Sequence, residues 1–478
     1  VKNRYHVVII GAGVGGLAVA EGLRDLGLDI LVVDENARPG GQLLRGQQKK
    51  KKSLFQLEPD LWKKTGAALL SSFQNRGAQP AFFVHAQVIG IHDGHKLVIE
   101  YSPEASQPWQ KELVELEAEI IVLATGARER YVPFPGWTMP GIMSLGAGQI
   151  LLKESQVLPG KSIVLGGSSP LMMALATQIF RNGGRLEAML DTNSLADQLR
   201  FLPHLFSHFP KFYEGAVHTV NLLTHGASLH RSTHVIEARG KQRLSQVVTG
   251  KFDHHGVLIP GSEKQIAADA LCIGYGFVPN IELAVQAGCM LHYDVNEGGW
   301  LVEVDEKQRT SIAHLYAVGE LTGIAGGKKS YLEGQRTALS LIAHFFPYKI
   351  QRAGGKHRET LHRLRSSIRK QHEYARFFGS LCTVPSSVYN HLSDDTIICR
   401  CEDITMGEIR KRIAQGFDSL AAIKKSTRCT MGRCQGRICG AIIYDIITAL
   451  TDQQPETIGT PHARWPVKAV NISSFLQS

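Results

Sequence analysis

Five of the eight cysteines fall between positions 399 and 439. They read Cys399-x-Cys401, then Cys429, then Cys434-x4-Cys439. Closely spaced thiolates suit zinc and iron–sulfur centres alike. Zinc sites favour C-x2-4-C pairs, and a C-x-C chelate strains a tetrahedral site, so an iron–sulfur centre is the favoured reading. The other three cysteines do different work. Cys272 and Cys289 lie on apolar segments and read as core. Neither a C-x-x-C pair in the middle of the chain nor a C-x4-C pair after the first strands is present, which argues against disulfide reduction.

The second constellation is at the start. Gly11-Ala12-Gly13-Val14-Gly15-Gly16 follows an apolar strand, Tyr5 to Ile10, and Leu17-Ala18-Val19-Ala20 opens a helix. This is G-x-G-x-x-G in strand–turn–helix context. Gly11 permits the tight turn, Gly13 lets backbone approach a pyrophosphate, and Gly16 lets helix and strand pack closely. The helix start offers N–H groups to phosphates. A second strand, Asp29 to Val33, ends at Asp34, whose carboxylate is placed for an adenosine ribose. Three later pieces have the form of an FAD domain closing on its cofactor: Pro39-Gly40-Gly41-Gln42, the strand Ile120 to Leu123 with Ala124-Thr125-Gly126, and the strand His314 to Val318 with Gly319-Glu320.

A second nucleotide fold is outlined by a strand Lys161 to Leu165, a helix Pro170 to Arg181 and a strand Leu186 to Leu190 ending at Asp191. Its fingerprint departs from the rule. Ser168 and Leu171 stand where glycines belong. A side chain at 168 meets the approaching pyrophosphate, and Leu171 widens the helix–strand contact. The fold is therefore either a relic or a holder of an adenine nucleotide (ATP or NAD). Hydride donation by NAD(P)H is the weaker reading.

The remaining elements must position these sites. With 478 residues, 43% hydrophobic and 20% charged, the chain is globular and long enough for about three domains. Glycine, at 48 residues, exceeds its usual ~7% share, which fits several tight backbone–phosphate turns. The formal net charge is +10, but no basic helix with interleaved aromatics suggests nucleic acid. No apolar run approaches the ~20 residues of a membrane span, and no signal-peptide h-region precedes the first strand. A cytoplasmic protein is expected, with peripheral placement on the inner face of the membrane as the variant. Because the chain begins at Val1, an initiator or short leader is expected ahead of it. Lys49 to Lys52 reads as a solvated loop, with steering of an anionic ligand as the alternative. Residues 81–117 alternate apolar and polar about an Asp93-Gly94 turn and read as an antiparallel addition. The helical, basic stretch before 393 reads as a linker and docking surface. The tail from Pro455 reads as extended, either wrapping a neighbour or, the more usual case, lying on the surface.

The order of motifs resembles the two-dinucleotide-binding-domain flavoproteins of the glutathione and thioredoxin reductase type. That resemblance implies an α/β chain with a split FAD Rossmann-like fold and an inserted nucleotide-binding fold. It places FAD on Gly11, Gly13, Gly16, Asp34, Gly41, Gln42, Thr125, Gly126, Gly319 and Glu320. The cysteine segment resembles the small α-helical, bacterioferritin-associated ferredoxin-like 2Fe-2S domain, which implies Cys399, Cys401, Cys434 and Cys439 as ligands and leaves Cys429 without a role. The expected division is FAD domain 1–150, inserted fold 151–280, FAD domain continued 281–346, linker 347–395, 2Fe-2S domain 396–450 and tail 451–478.

The whole chain resembles the α subunits of heteromeric amino-acid and amine dehydrogenases, a family that includes the B chain of hydrogen cyanide synthase, the A chain of opine oxidase and the α chains of dye-linked L-proline dehydrogenases. The resemblance implies an FAD and 2Fe-2S electron-transfer subunit of a dehydrogenase for glycine, proline or hydroxyproline, or an opine. Its partner is then an FAD-containing β subunit of D-amino-acid-oxidase type, and a small third subunit is a further candidate. The electron acceptor, a quinone or another carrier, is left open. A stand-alone NAD(P)H-dependent flavin and iron–sulfur reductase is the alternative.

Overall fold

The computed structural model describes residues 2–45, 61–74, 80–104, 107, 109–194, 196–197, 222, 224–253 and 257–475; the Lys49–Lys52 run lies outside the described residues. Two sheets organise the chain, the first mixed and the second parallel. The first orders its strands Ala81–Phe83, Ile30–Val33, Arg4–Ile10, Glu112–Leu123, Lys96–Tyr101, Ala86–His92, with Leu315–Ala317 joined to Glu112–Leu123. The strand Glu112–Leu123 changes character along its length. Up to Glu117 it pairs antiparallel with Lys96–Tyr101. Its far end runs parallel between Arg4–Ile10 and Leu315–Ala317. Burial alternates through Glu115–Glu119, then Ile120–Leu123 are all buried. One solvated face gives alternation, and a strand covered on both faces must be continuously apolar.

The second sheet orders Ser228–Arg231, Arg185–Asp191, Ser162–Gly167, Ala270–Gly274, Ile142–Ser144, all parallel. An antiparallel set, Thr233–Arg239, Gln246–Lys251 and Lys264–Ala267, is appended to it. Sequence reasoning did not single out that set. The chain crosses between the sheets on a short antiparallel pair, Ala127–Glu129 with Phe277–Pro279.

The cysteine segment is a hairpin, Ile397–Cys399 with Ile404–Thr405, followed by three helices. Met406–Ala414 starts with a capping box from Thr405 and Glu408. Leu420–Thr427 is capped by the Ser419 hydroxyl. Cys439–Thr451 buries Ile442, Ile443, Ile446 and Ile447. These isoleucines do not form a separate core. They share one apolar cluster with Leu190, Leu271 and Ile273 of the second sheet. A largely buried ion pair crosses the same boundary: Arg130 Nη2 lies 2.5 Å from Asp445 Oδ1, and the Tyr389 hydroxyl donates to Asp445 Oδ2 at 2.7 Å. Burial opposes the charge on Arg130, yet the Asp445 carboxylate outweighs it and raises the guanidinium pKa.

Two long-range connections follow. Helix Pro347–Ser380 has 34 residues and packs against helix Gly327–Phe345 of the first sheet's domain. The tail departs from the expected surface segment. Val467 is buried in the core of the first sheet, its N–H donates to Ile89 O at 2.8 Å, and Lys468 pairs with Glu35. An apolar side chain and one cation, each with a partner, are enough to tie it down. Among the described residues no helix is long and apolar enough to cross a membrane.

Removing one partner of the Arg130–Asp445 pair strands a buried charge. Asp445→Asn is expected to destabilise the fold by about 3–5 kcal/mol, while Arg130→Met/Asp445→Leu recovers most of the loss. Thermal and denaturant unfolding of both variants checks this; an unchanged Asp445→Asn contradicts it.

Candidate dinucleotide groove and thiol centre

The strand Arg4–Ile10 ends in Gly11 at φ +108, where a Cβ would lie 2.3 Å from Ala124 O. Only glycine fits that crossing of two strand ends. A Cβ on Gly16 would lie 2.0 Å from Gly11 O, so helix and turn touch backbone to backbone. Gly13 is the opposite case. Nothing stands within 4 Å of its would-be Cβ, and the turn is open on that face. Asp34 is buried and braces the loop. Its Oδ2 accepts from the Ala12 N–H at 2.6 Å, and Oδ1 accepts from Asn36 N and Nδ2, each at 2.8 Å.

These elements open on a cavity of about 2820 Å³. Nine of the ten residues expected to hold a dinucleotide line it: Gly11, Gly13, Asp34, Gly41, Gln42, Thr125, Gly126, Gly319 and Glu320. Gly16 stands behind the turn, in keeping with a packing role. Thr125 Oγ1 donates to Asn280 O at 2.7 Å, and Asn280 Nδ2 donates to Thr125 O at 3.0 Å, so the returning strand fixes that edge. Glu320 Oε1 accepts from the Gly326 N–H at 2.8 Å, and burial raises the carboxyl pKa against the pull of Lys329.

The sequence reading passed over what holds this turn. Lys329 and Glu333 are buried one helical turn apart and pair at 3.1 Å. Lys329 Nζ donates to Gly319 O at 2.7 Å and Gly323 O at 3.0 Å, while Glu333 Oε2 accepts from the Gly319 N–H at 2.8 Å. The i, i+4 spacing was a readable signal. Helix Pro347–Ser380 completes the knot. His372 Nδ1 lies 3.2 Å from Glu297 Oε1 and Nε2 lies 3.6 Å from Glu333 Oε1, with Arg376 also facing Glu297 at 3.8 Å. Burial penalises the charge on His372, but the two carboxylates win and its pKa rises.

The second sheet presents its defective fingerprint to the same cavity. Ser168 is 7% exposed, and its Oγ is buried with no hydrogen-bond partner. It precedes helix Leu171–Arg181. Asp191 Oδ1 accepts from Asn193 N at 2.9 Å and Nδ2 at 3.0 Å, repeating the arrangement of Asp34. Cys382, just past the long helix, donates to Ser168 O at 3.5 Å.

The thiols converge. Sγ atoms of Cys399, Cys429 and Cys439 lie within 4.8 Å of one another, all buried. Cys439 donates to Cys399 at 3.7 Å. Cys434 is in contact with both Cys439 and Cys401. The thiols of Cys429 and Cys439 hold Cys399 far below the usual thiol range, at about 2, and Cys439 pulls Cys434 to about 5. Cys401 is exposed. Two of the four expected ligands, Cys399 and Cys439, thus share a buried group with Cys429, and Cys434 and Cys401 adjoin it through Cys439. Cys272 and Cys289 are buried in the core, as expected. Cys434 and Arg437 also line the cavity of the glycine turn. Arg128 spans the two sites: Nε donates to Arg437 O at 2.9 Å, and Nη1 donates to Asn280 Oδ1 at 2.8 Å and pairs with Glu282 at 2.8 Å. No local pattern marked Arg128.

Because the folded pKa of His372 is raised, its contribution to stability is complete below about pH 6.5 and is lost as pH rises through the folded value. The melting-temperature gap between the protein and a His372→Gln variant is therefore expected to be widest near pH 6 and to narrow toward pH 9. Melting curves across that range check it, and a gap that widens with pH contradicts it.

Comparison with known proteins agrees with this architecture. The pyridine nucleotide-disulphide oxidoreductase profile matches residues 5–340, and the sarcosine oxidase A3 domain matches residues 393–476. The A chain of opine oxidase from Agrobacterium tumefaciens (strain Ach5) is 30% identical over 98% of this chain and 91% of its own. Hydrogen cyanide synthase subunit HcnB of Pseudomonas protegens is 29% identical over 98% and 97%. The crystal structure of L-proline dehydrogenase from P. horikoshii superposes with a TM-score of 0.68 at 20% identity, covering 98% of this chain and 79% of that one, which is a likeness of fold. The chain is an oxidoreductase of the pyridine nucleotide-disulphide oxidoreductase family, and within it belongs with the α-type subunits of heteromeric amino-acid and amine dehydrogenases.

Proposed function

We propose that this chain is the FAD and 2Fe-2S electron-transfer subunit of a heteromeric amino-acid dehydrogenase of glycine, proline or hydroxyproline, or opine type. A D-amino-acid-oxidase-like β subunit is the proposed electron source; a quinone or other carrier and a small third subunit are further partners. The complex is placed in the cytoplasm or at the inner face of the membrane. One observation carries the reading: Cys434 and Arg437 line the same cavity as the glycine turn, with Arg128 bonded to both sides. The open face of Gly13 fits a pyrophosphate, and the thiol cluster fits an iron–sulfur centre through its soft donors.

When bound, flavin exchanges electrons in pairs or singly, and the cluster carries one at a time. Gly11, Gly13 and the start of helix Val14–Leu23 offer N–H groups to the phosphates. Asp34 orients the ribose, while Gly41, Gln42, Thr125, Gly126, Gly319 and Glu320 enclose the rest. Lys329 and Glu333 fix the Gly319 turn. Cys399, Cys401, Cys434 and Cys439 would hold the cluster. Arg128 keeps the Cys434–Cys439 loop against the groove and places a cation beside the electron path.

The unpartnered Ser168 hydroxyl supports an adenine nucleotide, ATP or NAD, in the second fold. The same observation is what favours the rival reading of a self-sufficient NAD(P)H-dependent reductase. An anaerobic absorption spectrum before and after NADH separates the two. Flavin bands and a broad iron–sulfur shoulder, unbleached by NADH but bleached by substrate once the partner is present, are expected. Fast bleaching by NADH makes the chain a complete reductase and overturns the proposal.

A further inference from the structure

Five thiols meet where a 2Fe-2S cluster needs four. We propose, on the cluster reading above, that Cys429 is a reserve ligand that replaces Cys399 or Cys439 but neither Cys401 nor Cys434.

The geometry divides the thiols into two sets. Two thiolates on one tetrahedral metal, at bonds of about 2.3 Å, stand roughly 3.7 Å apart. Cys399 and Cys439 are 3.7 Å apart. They match a pair on one iron. Cys401 and Cys434 contact each other and form the second pair, which meets the first where Cys434 touches Cys439. Each pair joins one residue from either cysteine motif, which removes the strain of a C-x-C chelate. Cys429 lies within 4.8 Å of both members of the first pair, and the second pair falls outside that mutual group.

The fold aims Cys429 inward. It is 0% exposed, and its neighbours Arg428 (φ +65) and Thr430 (φ +71) both take left-handed backbone. Its N–H donates to Thr427 Oγ1 at 3.2 Å. Two such departures from ordinary backbone, one on either side of the thiol, persist only where surrounding contacts impose them. The turn therefore keeps the thiol beside Cys399 and Cys439. When one of these is lost, its iron–sulfur bond is replaced by a bond to Cys429. The Cys429 proton passes to solvent, and no electron moves.

The test uses full-length protein purified anaerobically with its cluster. Iron and acid-labile sulfide per chain, and the electron paramagnetic resonance spectrum after dithionite, are read for Cys429→Ala, Cys439→Ala, Cys439→Ala/Cys429→Ala and Cys434→Ala. Flavin content serves as the folding check. Cys429→Ala is expected to match the parent protein. Cys439→Ala keeps most of its iron with shifted g-values, and the double variant falls to background. Cys434→Ala loses its cluster although Cys429 is present. Iron in Cys439→Ala as low as in the double variant overturns the proposal, and so does loss of the cluster in Cys429→Ala. Absence of paired iron and sulfide from the parent protein instead defeats the cluster reading itself.

Discussion

The buried ion pair between Arg130 and Asp445 determines where the thiol centre sits. Arg130 follows the strand end that lines the dinucleotide groove, and Asp445 lies on the helix that begins at Cys439. A buried pair of this kind contributes little net stability over apolar residues of the same shape. Its effect is on register. Only one rotation of helix Cys439–Thr451 satisfies Asp445 with both Arg130 and Tyr389, and that rotation brings Arg437 O to Arg128. Stacking of Tyr293 on Tyr444, with ring centroids 5.5 Å apart, supports the same placement. The shared core with the second sheet then makes the cysteine module part of the body of the protein.

The groove is held from outside as well. Helix Pro347–Ser380 reaches Glu333, which holds the Gly319 turn, through His372, and Ser168 is reached through Cys382 just beyond the helix end. Eight residues of helix, roughly 12 Å of rise, run from His372 to Ser380, and Cys382 follows two residues later. One rigid element therefore touches both nucleotide folds. The tail closes the third side. Arg437 Nη2 donates to Val467 O at 2.8 Å, and Asn471 N and Ser474 Oγ donate to the buried Glu100 carboxylate. The thiol loop is thus tied to the first sheet by Arg128 on one flank and by the tail on the other.

What was legible in the sequence was local. The glycine turn, the acid after the second strand, the small residues at Ala124–Gly126 and the paired cysteines each depend on neighbours a few positions away. Their physical requirements, a positive φ or a close backbone approach, leave a mark in residue type. The capping box of Thr405 and Glu408 at the start of helix Met406–Ala414 is a local mark of the same kind. Arg128, Arg130, His372 and the tail were not legible. Their partners lie far off in sequence, 309 residues for Arg128 with Arg437 and 315 for Arg130 with Asp445. A lone arginine carries no local pattern. The same limit left Cys429 without a role, since spacing sets aside a thiol that the fold buries against Cys399 and Cys439.

The central claim is that the groove and the thiol centre exchange single electrons within one chain. Anaerobic flash photoreduction of the flavin, followed at the cluster's absorbance over a range of protein concentrations, tests it most directly. The account predicts cluster reduction at a first-order rate independent of concentration. A rate that rises in proportion to protein concentration, or a cluster that stays oxidised beside reduced flavin, contradicts it.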